Sequence, residues 1–206
     1  MKNLNLLLVI ILSSFACSAP KSVKSDGWVS LFDGKSLKDW KVGENAGSFS
    51  VDSGRIKVHG NRAHLFYEGE LKNHDFSNFH FKAEVMTFRG ANSGIYFHTQ
   101  FQETGWPSKG FEVQVNNSHS DWRRSGSLYA ISDVREQFVK DSIWFTEEII
   151  VLGKTVTVKL NGNTVMEYTE PANVQGDKRI SNGTFALQGH DPESKVFYRN
   201  ILVKPL

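Results

Sequence analysis

The sequence predicts an all-β fold, two antiparallel sheets packed as a sandwich, and three observations carry that prediction. Apolar and polar residues alternate with a period of two in several separate segments, the pattern of strands with one buried face. Turn signals rich in Gly, Asn and Asp recur between those segments. A helical period of 3.6 residues is sustained nowhere, so helical crossovers and a parallel sheet are not expected. Composition agrees, since 15 Phe and five Trp suit pleated packing surfaces and 17 Gly against five Pro suit tight turns. A length of 206 residues fits one domain with a sizeable core.

The first 17 residues stand outside that fold. Lys2 gives a positive start, Leu6 to Leu12 a short apolar run, and Ser13-Ser14-Phe15-Ala16 leads into Cys17. The run is too short to span a bilayer and reads as an export signal. Cys17 is the sole cysteine, and its setting resembles a bacterial lipobox, whose cysteine is lipidated and becomes the mature N-terminus. Ordinary cleavage nearby, for example after Ala19, is the alternative. The expectation is an exported protein of the periplasm or cell envelope, touching the membrane only through a lipid on Cys17 and holding no internal disulfide. Residues 18–27 then form a polar tether, and residues 28–206 a single domain. A net charge of +2 gives no reason to expect a nucleic-acid partner.

Along that domain, Val29 to Phe32 reads as a short strand, Asp33-Gly34 as a turn, and Leu37 to Trp40 as an apolar anchor. Ser48 to Val51 and Arg55 to His59 flank Asp52-Ser53-Gly54, a hairpin signal. Phe79 to Val85 alternates with Phe79, Phe81, Ala83 and Val85 on one face. Asn92 to His98 sets Ile95, Phe97 and Thr99 against Gly94, Tyr96, His98 and Gln100. Gly110 to Asn116 sets Phe111, Val113 and Val115 against Glu112, Gln114 and Asn116. Thr155 to Leu160 and Thr164 to Tyr168 surround Asn161-Gly162-Asn163, the clearest hairpin in the chain. Thr184 to His190 buries Phe185 and Leu187 and turns Ala186, Gln188 and His190 outward, and Val196 to Val203 closes the domain.

Solvent-facing strands need only generic polar residues, so a carboxylate, carboxamides and imidazoles on neighbouring strands suggest the floor of a cleft. If the Glu112 and Gln188 strands lie together, one concave face holds His98, Glu112, Gln114, Gln188 and His190. A Glu with two His can supply a general base, its orienting partner and a donor to a developing oxyanion. The same set can ligate a divalent metal ion. The loop from Asn116 to Tyr129 adds Asn117, His119, Asp121, Trp122, Arg123, Arg124 and Tyr129, with Gly126 permitting a turn. Aromatic stacking joined to polar groups is how proteins hold sugars, so this loop is a candidate ligand wall, and Trp106 before Pro107 fits the same role. Glu147 and Glu148 are adjacent, face opposite ways on a strand, and so cannot flank one glycosidic bond together; Glu148 or Glu147 reads as surface.

The segment Leu31-Phe32-Asp33-Gly34-Lys35-Ser36-Leu37-Lys38-Asp39-Trp40 resembles the opening of the 3-keto-disaccharide hydrolase-like family. Asn92 to His98 and Gly110 to Gln114 are similar to its two central strands. Ser125 to Tyr129, Trp144 to Glu148, Leu160 to Gly162, Phe185 to His190 and Arg199 to Ile201 follow in the family's order, so the resemblance runs over residues 28–206. It implies a concanavalin A-like jelly roll and cleavage of a small carbohydrate substrate already oxidised at C3. Many relatives carry Arg where this chain has His98. A 3-keto group acidifies the C2 hydrogen, so one base can remove it, and the enolate then expels the substituent at C1. Glu112, His190 or His98 can be that base, with a divalent metal ion as one source of charge stabilisation. Asn92, Gln114, Gln188, Tyr129, Trp122 and Arg199 are candidates to bind the sugar. A non-catalytic carbohydrate-binding module and a tethered adhesion domain are the other readings, because fold does not fix function.

Overall fold

The computed structural model describes residues 26–206. The expected export signal, Cys17 and most of the tether lie outside the described residues.

Thirteen strands form two antiparallel sheets among the described residues. The strands are β1 (Val29–Ser30), β2 (Trp40–Val42), β3 (Phe49–Asp52), β4 (Arg55–His59), β5 (Ala63–Tyr67), β6 (Phe79–Thr87) and β7 (Ser93–Thr99). They continue with β8 (Phe111–Val115), β9 (Phe145–Leu152), β10 (Thr155–Leu160), β11 (Asn163–Thr169), β12 (Thr184–Gly189) and β13 (Lys195–Pro205). The larger sheet runs β11-β10-β9-β6-β13-β4-β3, with β1 also paired to β13, and the smaller runs β2-β5-β12-β7-β8. This is the two-sheet antiparallel sandwich that the alternation calls for, with the jelly-roll form that the family resemblance implies.

The hairpins form where the turn chemistry demands them. β10 and β11 meet across Asn161 and Gly162, at φ values of 50° and 83°, the left-handed pair that a tight two-residue turn needs. β3 and β4 meet across Ser53 and Gly54 in the same way.

Between the sheets lies a continuous apolar core. Phe185 of β12 sits at its centre, with the rings of Phe76, Phe79 and Phe81 at 4.9, 4.8 and 4.9 Å. Burying one such ring is worth about 1.5–3 kcal/mol, so this quartet is a principal tie between the sheets. Two strands of the smaller and larger sheets carry less legible patterns. β5 (Ala-His-Leu-Phe-Tyr) is buried at every position, because a loop covers its outer face. β9 does alternate, but its inward set includes Glu147 among Phe145, Ile149 and Val151.

Candidate active site

The outer face of the smaller sheet is read off by register. Phe66 pairs with Ala186, Ala186 with Tyr96 and Tyr96 with Glu112, giving one row across four strands. In the next row His64 pairs with Gln188, and Gly94 pairs with Gln114. These outward positions, with residues from three loops, line a cavity of about 210 Å3. Its walls are Asn92, Tyr96, Glu112, Gln114, Gln188 and His190 from the strands and their ends, and Trp106, Pro107, Asp121, Tyr129 and Lys178 from the loops.

Glu112 is held at both carboxylate oxygens. Tyr96 donates its hydroxyl to Oε2 at 2.8 Å, and Gln188 donates Nε2 to Oε1 at 2.7 Å. The carboxylate leans over Gly94 to reach Gln188, and a Cβ at position 94 would run into it. Burial pushes Glu112 above the ordinary carboxylate range, against the bonds from Tyr96 and Gln188 and the charges of His190 and Lys178. A carboxylate raised in this way is a stronger base than a solvated one. Tyr96 is pushed up as well, by burial first and then by the Glu112 charge, so it stays a hydroxyl donor.

His190 follows β12 and is oriented by its neighbour. Its Nδ1 lies 2.6 Å from Oδ2 of Asp191, and Asp191 also accepts from the Ser194 hydroxyl and from the backbone N–H groups of Glu193 and Ser194. Burial opposes ionisation of Asp191, but the bonds from His190, Ser194 and these amides outweigh it and hold the carboxyl low. An ionised Asp191 fixes the proton on Nδ1 and directs Nε2 elsewhere. Asn92 connects this turn to the floor: its N–H donates to the Ser194 hydroxyl at 2.8 Å, and its side-chain oxygen accepts from Gln114 Nε2. The amide donors of Gln114 and Gln188 are thus committed within the protein. Their amide oxygens are buried without partners.

Several expected site residues are elsewhere. His98 does not join the cavity. β7 carries one extra residue against β12 between the pairs Ala186–Tyr96 and Thr184–Thr99, and His98 takes φ 53° there. That bulge turns the imidazole out of the alternation. It is fully buried, with Nε2 2.9 Å from the Ser77 carbonyl and Nδ1 accepting the Ser181 N–H at 3.1 Å. Burial lowers its pKa to about 4, so it is a neutral tie between chain segments. Without His98 the two-histidine, one-carboxylate metal set is not assembled. No group of three or more His, Cys, Asp and Glu is placed to hold a metal ion among the described residues.

Arg199 lies in the larger sheet, its Nε bonded to Glu84 at 2.7 Å and its guanidinium over Trp144. Trp122 is exposed, with the guanidinium groups of Arg135 and Arg123 at 3.9 and 4.6 Å from its ring, and does not line the cavity. Of the adjacent pair Glu147 and Glu148, Glu148 is the one that faces out, pairing with His80 at 2.7 Å, while Glu147 is fully buried between the sheets. Conversely, Tyr96, Asp191, Lys178 and His64 were given no role by the sequence. His64 packs edge-on to Tyr96 and Trp106, and burial lowers its pKa to about 4. The signal for Asp191 was adjacency, a carboxylate immediately after a strand-end histidine.

Residues 27–204 match the family described as the 3-keto-alpha-glucoside-1,2-lyase-like domain. The chain belongs to that family. A curated relative, the 3-keto-disaccharide hydrolase of Bacteroides thetaiotaomicron, is 27% identical over 71% of this chain and 60% of its own length. The chain therefore spans about three-fifths of that relative. Among solved structures, a Parabacteroides distasonis protein provisionally named a glycosyl hydrolase matches with a TM-score of 0.75 at 22% identity, covering 88% of this chain and 95% of that one. The carbohydrate-binding module CBM66 of Bacillus subtilis matches with a TM-score of 0.60 at 10% identity, covering 81% and 95%. At these identities the two structures speak for the fold alone.

Proposed function

We propose that this family member cleaves glycosides oxidised at C3 of the sugar, with Glu112 as the base that removes the C2 proton. The observation that carries the reading is the paired arrangement in one cavity: a buried carboxylate with raised basicity beside an imidazole oriented by Asp191. Family membership and the name of the Bacteroides relative support the substrate class.

The step balances as follows. Glu112 takes the hydrogen from C2, and the electron pair passes into an enolate with its charge on the C3 oxygen. The enolate re-forms the ketone as the C1–O bond breaks, leaving a C1=C2 double bond, and the departing oxygen takes a proton. His190 is the group we assign to supply that proton when the ring is protonated, its charge balanced by Asp191. Addition of water across the new double bond would complete net hydrolysis, whereas release of the enone makes the reaction a lyase. Gln114, Gln188, Asn92 and Tyr129 form the polar wall against which the sugar would lie.

Assaying a 3-keto-glucoside and its unoxidised parent side by side tests the reading. Turnover of the keto sugar alone is expected; turnover of both at similar rates would mean a different chemistry. We also propose export and attachment through Cys17, a localisation read from the sequence. Cys17→Ser should then move the protein from the membrane fraction to the soluble one, and unchanged fractionation would refute the anchor.

A further inference from the structure

Trp106 stands at the mouth of the cavity on the segment between β7 and β8, and that segment is built to hold it still. The Gln102 side chain donates to the Thr104 and Trp106 carbonyls at 2.6 and 2.9 Å and accepts the Ser108 N–H at 3.2 Å. Glu44, beyond β2, accepts the Gly105 N–H at 3.0 Å and the Arg62 guanidinium at 2.8 Å. The segment lies against bare backbone, since a Cβ at Gly43 would meet the Gln102 carbonyl at 2.5 Å and the Glu103 carbonyl at 2.9 Å. The Trp106 ring touches His64 and His190, with centroids at 5.6 and 5.3 Å, and Arg62 lies 5.5 Å over it. Yet the residue remains 44% exposed. An indole fixed at this many points and still open to solvent is a poor core residue and a prepared contact surface.

Its place relative to the chemistry decides what it contacts. The keto ring must put C2 at Glu112, on the polar floor. His190 serves the oxygen leaving C1, and the Trp106 ring packs against the His190 ring on the same cavity wall. We propose that Trp106 forms a separate subsite for the leaving group and selects glycosides whose C1 substituent presents a flat face, a second sugar ring or an aromatic ring, over those with a small alkyl group. This rests on the reading of Glu112 and His190 given above. Glu44, Arg62 and Gln102 are positioning residues for the platform.

The test compares a 3-keto-disaccharide with methyl 3-keto-glucoside as substrates for the parent, Trp106→Ala and Trp106→Phe. Trp106→Ala should raise KM about ten-fold more for the disaccharide than for the methyl glycoside, and Trp106→Phe should recover most of that difference. Equal losses on both substrates, or no loss on either, would overturn the proposal. Calorimetric binding of the unoxidised disaccharide and methyl glucoside separates this subsite from the reaction itself. Even if neither keto sugar is turned over, the parent should bind the disaccharide more tightly, and Trp106→Ala should abolish the difference. Equal affinities in the parent would refute the subsite, whereas a preference for the disaccharide without keto-sugar turnover would refute only the reaction. A melting curve for each variant confirms that the fold is intact.

Discussion

Glu112 and Glu147 are both carboxyls removed from bulk water, both pushed above their ordinary range by burial, and yet they are opposites. Glu112 faces outward from β8, and each oxygen accepts a hydrogen bond. Glu147 faces inward from β9, paired with Ala83 and Leu160, and neither oxygen has a hydrogen-bond partner. The counterweight to its burial is the Gly126 N–H, which is itself donated to the Gln114 carbonyl at 3.0 Å. Burial alone therefore does not make a carboxyl a catalytic base. Company distinguishes the two: Tyr96, Gln188, His190 and Lys178 favour the charged form of Glu112, whereas burial in an apolar layer pushes Glu147 well above the ordinary carboxylate range.

The largest effect should separate the two residues directly. Glu112→Gln removes the proposed base while keeping the size, and should cost at least ~100-fold in kcat on a keto sugar. Glu147→Gln should leave kcat within about two-fold, since its carboxyl faces the core and does not line the cavity. Comparable losses from the two would erase the distinction drawn above. Acid should act in the same direction as the first variant: the rate should fall as pH drops through the raised Glu112 value, with a midpoint above the ordinary carboxylate range. A midpoint at or below that range would argue against Glu112 as the base.

Gly94→Ala asks whether position, and not only identity, matters to Glu112. The added methyl displaces the carboxylate from Gln188, and a misplacement of that size should cost about 10- to 100-fold in kcat. A variant with full activity would show that the carboxylate has freedom the structure does not suggest. Asp191→Asn probes the partner group. The amide no longer accepts from Nδ1 as a charged oxygen, so the preferred tautomer of His190 is lost and kcat should fall about 10-fold or more. The pH profile should change shape with it, which a purely structural lesion would not cause. An unaltered profile would remove Asp191 from the account.

The smallest effect is on stability and concerns Glu147. Its pKa is raised in the folded state above the ordinary 4.5, so the folded protein binds the extra proton between the two values. The stability it contributes is complete below the unfolded pKa and declines as pH rises from there toward the folded value. Glu147→Met removes both this slope and the unpartnered oxygens, and should raise stability at neutral pH by about 1–3 kcal/mol. Denaturant titrations of parent and variant at acid and neutral pH measure it. A less stable variant with an unchanged slope would mean that Glu147 has partners of its own.

The difference between these two residues also marks what the sequence made legible. On β8 the alternation Phe-Glu-Val-Gln-Val runs undisturbed, so parity put Glu112 and Gln114 on one face. The β12 alternation put Gln188 there too, and the chain order left His190 at the strand's end. Parity also separated Glu147 from Glu148, but nothing local says which side of β9 is the core when a Glu stands in the apolar row. His98 obeys the alternation in sequence and breaks it in space, because a bulge is a property of pairing with β12. His64 was hidden because β5 is covered on both faces and has no alternation to read. Lys178 reaches the cavity from a loop, whose path no period describes, while Trp106 was legible only through its residue type beside Pro107. Arg199 illustrates the reverse error: a chemistry-bearing residue in the larger sheet, where Glu84 already claims it.

The central claim is that Glu112 breaks a C–H bond at C2. Its most direct test is the rate of the parent on a 3-keto-glycoside carrying deuterium at C2, beside the protiated compound. A primary isotope effect on kcat/KM is predicted, together with its disappearance when deuterium is moved to C4. Turnover with no isotope effect at C2, and equal activity on the unoxidised glycoside, would contradict proton abstraction and remove Glu112 from the role assigned to it.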